Sequence, residues 1–572
     1  MRKEIIEIAS KVPYEDRPIS KNKLSGIANF FGLYGGEHIA ATEFVIGALL
    51  IMWGVKATDI FLGLIIGNIL ATLTYALVCA PIAVDTRLTL YSYLKKVVGV
   101  KMQKIYNLVW GMASIAMAAA MMTVSASAIR EIFGIIPQTK WYPTDIKFVI
   151  VTIILGAIVT IVAVNGFEAV AKFSSVCAPW MVVVFFIGAL VGLHELGKIT
   201  SFENIRSLSD FMNFVNTYVW NGEVIRGGEK LSIYHVIAFA WMCNLAYHGG
   251  LNDMSLFRFA KSYKYGYVSA IGMFIGHFFA WGSAGIMGAT AATIAKTTIL
   301  TMDSGSVTNI VLGYTGLLAV VIAGWTTANP SIYRAALALK TIFTEIDIKK
   351  LSYIVGIIMT IMACFPAVSN IMVVVNIIVL IVPAIGAICI AEHYLLPKLG
   401  GTRYWTMYKK LEVNKAALLA WIITLIFVVI SLKFKLIHSY FLFLPTYILA
   451  IVSYLILALN MGARDDFSQE ESKENEIQEA LMFLIEEEDK KEKNKNIELS
   501  FYLKKWIIIS NVLSVILLIL MMYYSIKVYK GILLLAEFKS LSFKLTIIYF
   551  VLNIITMYFK YGRSIQRGEN ND

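Results

Sequence analysis

The chain has 572 residues, of which 58% are hydrophobic and only 15% are charged, and its mean hydropathy is +0.71. So little polar surface cannot cover a water-soluble globule of this size, which indicates an all-α polytopic membrane protein. The net charge of +12 does not indicate a nucleic-acid partner, because the Lys and Arg residues lie in short loops between apolar runs.

Apolar runs long enough to span a bilayer, about 20 residues, recur along the chain. We predict about fourteen transmembrane helices, the ninth of them short, over residues 25–53, 58–83, 104–134, 147–166, 171–193, 232–258, 265–293, 307–340, 351–364, 367–396, 414–435, 439–460, 503–529 and 541–560. A cytoplasmic N-terminus places most basic clusters inside, including the one that starts with Arg334. The positive-inside rule therefore predicts that both termini are cytoplasmic.

This count divides the chain into seven segments. They are a cytoplasmic tail (1–24), a first five-helix repeat (25–193), an extracellular loop (194–231), a second, inverted five-helix repeat (232–396), helices 11 and 12 (397–460), a charged cytoplasmic linker (461–502), and two further helices with a C-terminal tail (503–572). The acidic and basic runs of the linker favour a solvated segment. Within it, EIQEALMFLIEEE could form an amphipathic helix.

Two similar motifs stand out, YGGEHIAATEF in the first predicted helix and YHGGLNDMSLF in the sixth. Glycine pairs alone more often allow close helix packing. Here each pair lies beside a histidine and an acid, and ionisable groups at membrane depth usually face a cavity. We therefore predict helix breaks at both places. Five helices precede the second break and five begin with it, an inverted-repeat arrangement typical of secondary transporters.

Glu37 and Glu43 lie close to the first predicted break, at Gly35 and Gly36. They are six positions apart, about 240° around a regular helix, so we expect them to have separate roles. We place Glu37 at the break, near the ion and the solute. We expect Glu43 to pack against another helix or to be neutralised by protonation.

The eighth predicted helix contains the stretch GWTTANPSIY. At 3.6 residues per turn, Ala323, Thr326 and Thr327 share one face, and Trp325 and Asn329 share an adjoining one. Two neighbouring hydroxyls aimed at a helix break can complete an all-oxygen shell for a hard monovalent cation. The alternative is that each threonine bonds back to a carbonyl of its own helix.

Several stretches of residues 25–460 resemble the nucleobase/cation symporter family, which includes cytosine, purine, allantoin and hydantoin permeases within the amino acid-polyamine-cation type superfamily. They are GALLIMWGVKATDIFLGLIIGN, APIAVDTRLTLYSYLKKVVG, LNDMSLFRFAK, GWTTANPSIY and VPAIGAICIAEHYLLPK. The resemblance implies a five-plus-five inverted-repeat (LeuT-type) transporter core with discontinuous helices 1 and 6, to which this chain adds C-terminal helices. It also implies coupling to Na+, and H+ remains an open alternative.

The same resemblance implies which residues bind the ion and the solute. The sodium ligands would be the carbonyls near Gly35 and His38, the carbonyl of Ala323, and the hydroxyls of Thr326 and Thr327. Met117 and Met121 stand where family members place an aromatic and an amide, so we expect cytosine and uracil to bind weakly. The predicted solute contacts are Glu37, Ile39, Met117, Met121, Trp241, Asn244, Trp325 and Asn329.

We leave two other polar positions outside the predicted site. His277 is a lone histidine on an apolar helix, and such residues usually hydrogen-bond a neighbouring helix. Glu392 and His393 end the tenth predicted helix, where we expect their side chains to reach the cytoplasmic interface.

These patterns predict a secondary active transporter that uses a cation gradient, with sodium expected, to import a small polar solute, with nucleobase-like heterocycles as one class. The same fold carrying an amino acid, an amine or another small metabolite stays open, as do a channel and a non-transporting solute sensor. The expected partners are the solute and the lipid bilayer, and the expected location is the cytoplasmic membrane of a bacterium. The oligomeric state is left open. No HExxH, Walker or GxSxG motif occurs, so no enzymatic activity is expected.

Overall fold

The computed structural model describes residues 3–13, 16–138, 140–202, 205–224, 229–366, 371–493 and 501–568. Within these ranges the regular structure is helical. Extended pairing among the described residues is restricted to two isolated bridges, Ser25 with Ala260 and Lys56 with Asn221.

The helices are numbered in chain order. Up to the loop before residue 232 they are α1 Lys3–Ser10, α2 Ile27–Glu37, α3 Ala41–Met52, α4 Ala57–Thr74, α5 Ala80–Thr86, α6 Leu90–Val98, α7 Val100–Ile132, α8 Ile146–Val164, α9 Gly166–Thr200 and α10 Leu208–Tyr218. The next group is α11 Ile233–His248, α12 Met254–Phe257, α13 Ser269–Met273, α14 Trp281–Ile294, α15 Ser304–Leu312, α16 Tyr314–Lys340, α17 Ile348–Ala363, α18 Ile371–Ile381 and α19 Pro383–Ile390. The last group is α20 Trp405–Tyr408, α21 Lys415–Lys433, α22 Phe443–Asn460, α23 Ser468–Lys493, α24 Phe501–Tyr529 and α25 Leu535–Gly568.

Among the described residues, ten continuous helical segments are long and apolar enough to cross a membrane. They are Ala57–Thr86, Val100–Ile132, Ile146–Val164, Phe173–Thr200, Tyr263–Ile294, Val375–Leu395, Lys415–Lys433, Ser439–Asn460, Lys505–Tyr529 and Leu535–Tyr558. The chain is therefore an integral multi-pass membrane protein. Each of the fourteen predicted runs falls on helical structure, but only these ten segments meet the length and hydropathy required. The count of fourteen spans stays a prediction.

The two predicted helix breaks are present. α2 ends at Glu37 and α3 begins at Ala41, and Ala40 between them is extended, with φ −94° and ψ 169°. α11 ends at His248 and α12 begins at Met254. The first break lies at residues 38–40, later than we predicted, because Gly35 and Gly36 stay helical within the last turn of α2.

A glycine of a neighbouring helix packs against each break. A Cβ on Gly276 would overlap the carbonyl oxygen of His38, and a Cβ on Gly386 would overlap the carbonyl oxygen of Gly249. Gly276 lies in a π-helical segment, Phe274–Ala280, that joins α13 to α14. Because no side chain stands between them, these helices approach the irregular backbone of both breaks directly.

The predicted amphipathic helix of the linker is present as α23. Its apolar face packs against α1 in a small separate core formed by Ile5, Ala9, Ala480, Leu481 and Ile485. Ion pairs flank this contact, with Arg17 3.2 Å from Glu488 and Lys96 2.9 Å from Glu474. This part of the linker is therefore docked on the protein rather than fully solvated.

The last two helices pack against the fifth helix of the first repeat. Trp180 of α9 donates its indole N–H to Thr546 of α25 at 3.1 Å. The Tyr549 hydroxyl of α25 donates to the carbonyl of Val176 at 2.8 Å. α24 also packs on α9, so this pair forms an additional layer beside the repeats.

Candidate functional site

A cavity of about 90 Å³ lies where the two broken helices meet α7, α16, α18 and the Tyr263–Ile294 helix. It is lined by His38, Ala40, Thr42, Glu43, Ile46, Met117, Cys243, Asn244, His248, Asp253, His277, Trp281, Thr327, Arg334 and Val375. One water needs roughly 10–15 Å³ of such space. The cavity can therefore hold several waters or a compact organic molecule.

A buried charge network ties the second break to α16. Arg334 donates to one carboxylate oxygen of Asp253 at 3.0 Å, and His248 Nε2 lies 3.3 Å from the other. The exposed fractions of all three side chains are 2% or less. The positive-inside rule places Arg334 among the cytoplasmic loop charges. The structure instead buries it with Asp253, because Arg334 lies on the α16 face that packs against the second break.

Three histidine rings gather at the cavity. The ring of His38 lies 5.2 Å from that of His277 and 6.1 Å from that of His248, centroid to centroid. Asn244 Nδ2 lies 3.0 Å from His277 Nδ1. We had left His277 outside the site, and the structure corrects this, because the helix that carries it runs past the first break. Among the described residues, no group of three His, Cys, Asp or Glu side chains could hold a metal ion.

Glu43 also lines the cavity and is buried, with 2% of its surface exposed. Its carboxylate accepts hydrogen bonds from the indole N–H of Trp281, from the Thr42 hydroxyl at 3.2 Å and from the Ala40 amide at 3.4 Å. The expected contact with another helix is therefore present. Glu43 also reaches the cavity, because the break directly precedes α3 and puts Glu43 in the first turn of that helix.

The three predicted ion ligands of α16 lie close together. The hydroxyls of Thr326 and Thr327 lie 3.0 and 3.2 Å from the carbonyl oxygen of Ala323. This is the back-bonding that we named as the alternative. It also gathers three oxygens at one point of α16, beside the cavity that Thr327 lines. Oxygen donors of this kind suit a hard monovalent cation.

The ion-binding role of Gly35 and His38, the two ligands predicted from the first helix, stays a prediction. The carbonyl of His38 packs on Gly276 of the Tyr263–Ile294 helix. Gly35 lies within α2, where a Cβ would be 4.0 Å from Ala178 of α9. The break follows Gly35 by three residues, so Gly35 is still helical and His38 is the first residue of the break.

Two of the predicted solute contacts, Met117 and Asn244, line the cavity. Trp241 does not. Its indole N–H donates to Thr74 at 2.9 Å and its ring packs 5.1 Å from that of Phe443, so it faces α4 and α22. In a helix that is apolar all round, the sequence does not indicate whether an aromatic side chain points toward a cavity or toward a neighbouring helix.

Four other predicted contacts do not line the cavity: Ile39 at the first break, Met121 on α7 and Asn329 on α16 are buried, and Trp325 on α16 is half-buried. Ile39 and Met121 have 1% and 0% of their surfaces exposed. Trp325 packs 6.1 Å from the ring of Phe173. Asn329 is 1% exposed, and neither atom of its amide has a hydrogen-bond partner among the described residues. The side chain of Glu37 lies outside the described part of the chain.

The side chains of Glu392 and His393 are buried rather than extended toward water. The Tyr454 hydroxyl donates to Glu392 at 2.6 Å, and Tyr93 OH lies 3.0 Å from His393 Nδ1. Both residues are buried in the π-helical segment Ala391–Leu395. They belong to a polar network at the end of the tenth helix, apart from the cavity.

No family model matches the chain, and no curated protein matches it in sequence. Solved transporter structures do match. Mhp1, a nucleobase-cation-symport-1 family transporter, in a closed conformation with bromovinylhydantoin bound, has a TM-score of 0.58 at 14% identity over 79% of this chain and 96% of Mhp1. The inward-facing conformation of Mhp1 has a TM-score of 0.58 at 12% identity over 81% and 97%.

A third match is a substrate-bound, outward-open Na+-coupled sialic acid symporter, with a TM-score of 0.55 at 13% identity over 80% of this chain and 95% of the symporter. The chain therefore has the LeuT-type transporter fold, as the sequence resemblance implied. The resemblance to the nucleobase/cation symporter family is confirmed as a resemblance of fold.

Proposed function

We propose that this protein is a secondary active transporter that couples the movement of a cation to the import of a small solute by alternating access. One observation carries the proposal. Two broken helices meet at a cavity that Thr327 lines, and the hydroxyls of Thr326 and Thr327 lie beside the carbonyl of Ala323. Broken helices of this kind supply solute and ion sites in inverted-repeat transporters. The coupled symporters among its structural relatives support the same function.

The coupling ion in this proposal is sodium. Ala323, Thr326 and Thr327 would supply a carbonyl and two hydroxyl oxygens, which are neutral hard donors, and further ligands would come from irregular backbone nearby. Thr327 carries the coupling, because its hydroxyl belongs to the oxygen set and its side chain lines the solute cavity. An ion that fixes Thr327 therefore also orders the cavity wall, which makes ion and solute binding reciprocal.

The solute is small, because the cavity measures about 90 Å³. We propose that it enters from outside the cell through the cytoplasmic membrane, with both termini of the protein inside, and that no chemical conversion accompanies transport. Met117 gives one wall of the cavity a pliable apolar surface. Such a wall offers no strong hydrogen-bond partner to a nucleobase edge, so we expect cytosine and uracil to bind weakly.

Sodium binding can be tested without knowing the solute. Sodium should raise the Tm of the purified protein relative to potassium at equal ionic strength, because a ligand of the folded state stabilises it by mass action. T326A/T327A should lose this difference. S331A is the matched control, since Ser331 bonds back to the carbonyl of Thr327 on the same helix. Equal Tm values in sodium and potassium for the parent protein would contradict the sodium assignment.

A further inference from the structure

Glu43 differs from the other acid of the cavity in having no cation beside it. Asp253 is neutralised by Arg334 at 3.0 Å and contacts His248 at 3.3 Å. Among the described residues, no Lys, Arg or His nitrogen lies within ion-pair distance of the Glu43 carboxylate. An ionised carboxylate that is buried without a partner is strongly destabilising. Glu43 must therefore be neutralised by a proton or by a ligand.

The surroundings of Glu43 suit the ionised form. The Trp281 indole and the Ala40 amide can only donate hydrogen bonds, and both point at the carboxylate. The Thr42 hydroxyl also lies within reach, at 3.2 Å. A protonated carboxyl would need an acceptor for its O–H. Glu43 also occupies the first turn of the twelve-residue helix α3, where the helix dipole favours a negative charge.

The walls next to Glu43 suit the carbon chain of an organic cation. The Trp281 ring is stacked on that of His277, with centroids 4.7 Å apart and an interplanar angle of 22°. Its indole N–H edge points at Glu43 and one ring face is covered by His277, so Trp281 offers apolar contact surface rather than a face for the charged nitrogen. Met117 and Ile46 supply apolar surface on the same cavity. The volume of about 90 Å³ exceeds what a single bare ion occupies.

We propose that the transported solute is a small organic ammonium compound whose charged nitrogen pairs with Glu43 and whose carbon chain lies against Trp281 and Met117. This inference rests on the proposed transport function and names its substrate class. Neutral molecules leave the carboxylate uncompensated, and anions are repelled by it. Glu43 therefore selects for a cation, while the sodium ion is held separately by the oxygens of α16.

Binding to the purified full-length protein tests the charge requirement directly. Butylamine, 1-butanol and butyrate share a four-carbon chain and differ in carrying a cation, a neutral group or an anion. Butylamine, which is protonated at pH 7.5, should raise Tm in the presence of sodium, and the other two should not. A parallel Tm series with sodium and no amine shows whether an inorganic cation, rather than an organic one, accounts for the stabilisation at Glu43. Putrescine and ethanolamine extend the amine series.

Two variants identify the residue responsible. E43Q should weaken amine binding by about 30-fold or more, since one partner of a buried charge pair is lost. E392Q removes a buried carboxylate that lies outside the cavity and should leave amine binding unchanged. If E43Q does not fold, the comparison of butylamine, 1-butanol and butyrate on the parent protein still tests whether the cavity requires a cation.

Several outcomes would overturn the proposal. It fails if none of the three amines shifts Tm, if butanol or butyrate shifts it as much, or if E43Q binds amines as tightly as the parent, which would make Glu43 a neutral, protonated group. The transport function would survive each of these results. Conversely, amine binding that depends on Glu43, together with a complete lack of gradient-driven uptake, would support the ligand class and contradict transport.

Discussion

Trp281 donates its indole N–H to the carboxylate of Glu43, although the two residues are 238 positions apart in the chain. The bond joins the first turn of α3 to the first turn of α14. It therefore links the second half of the first broken helix to a helix of the other repeat, across the wall of the solute cavity. If Glu43 binds the solute as proposed, this bond would hold its carboxylate in position when the solute leaves.

Replacing Trp281 by phenylalanine keeps an aromatic ring and removes the N–H donor. We expect W281F to lose about 1–3 kcal/mol of stability, the usual effect of leaving a buried polar group unsatisfied, and to bind amines more weakly. The measurements are Tm and amine titration. W180F is the matched control, because Trp180 donates to Thr546 and neither residue lines the cavity. It should lower Tm without changing binding, and equal binding losses in both variants would contradict the assigned role of Trp281.

The ion pair of Asp253 and Arg334 should behave as a buried, coupled pair. D253N or R334M alone leaves one charge buried without its partner, which typically costs about 3–5 kcal/mol. The double variant D253N/R334M removes both charges and should recover much of the lost stability. A double-mutant cycle on Tm measures the coupling. Additive losses would show that the two side chains act independently.

The close contact between Gly276 and the first break predicts a position-specific effect of alanine. G276A puts a methyl group against the carbonyl of His38, so we expect a loss of about 1–3 kcal/mol from overpacking and a distorted solute site. G282A is the control on the same helix, because a Cβ there meets only the ring of Phe61, at 3.4 Å. Equal Tm values and equal amine binding for both variants would argue against the contact.

The fold could be predicted from the sequence because its signals are local. Apolar runs indicate helices, and a glycine pair beside ionisable residues indicates a break, so both discontinuous helices are where the motifs occur. The first break is displaced to residues 38–40 because the His38 amide still bonds to the Tyr34 carbonyl at 3.1 Å, which extends α2 past the glycines. Such a bond depends on packing that the motif does not encode.

The site was predicted less completely, since its residues are defined by tertiary contacts. The ion-binding role of Thr326 and Thr327 rests on two adjacent hydroxyls in an apolar helix and on the family resemblance, and it stays a prediction. His277 and Arg334 could not be found, since a lone histidine and a basic residue near a predicted loop look the same whether buried or exposed. Trp241 was selected by residue type alone, and its helix turns it toward Thr74. Which of these residues lie close together depends on which helices contact each other, and the sequence does not show those contacts.

The contact between α1 and α23 can be tested apart from transport. Leu481 is buried in this small core, whereas Phe483 on the same helix is 49% exposed. L481D should release α23, because it places a charge in an apolar contact, and should speed proteolysis within residues 461–502. F483D should leave the cleavage rate near that of the parent. Equal rates for the two variants would mean that α23 is not held by α1.

Gradient-driven uptake tests the central claim most directly. Proteoliposomes with an inward sodium gradient are incubated with a defined mixture of nucleobases, hydantoins, vitamins, amino acids and amines, and their contents are measured by mass spectrometry. Coupled symport predicts that at least one solute accumulates above its external concentration. This accumulation should disappear without the gradient and in T326A/T327A. Solutes that only equilibrate whatever the gradient, as through a channel, or a complete absence of uptake, as for a sensor, would contradict the account.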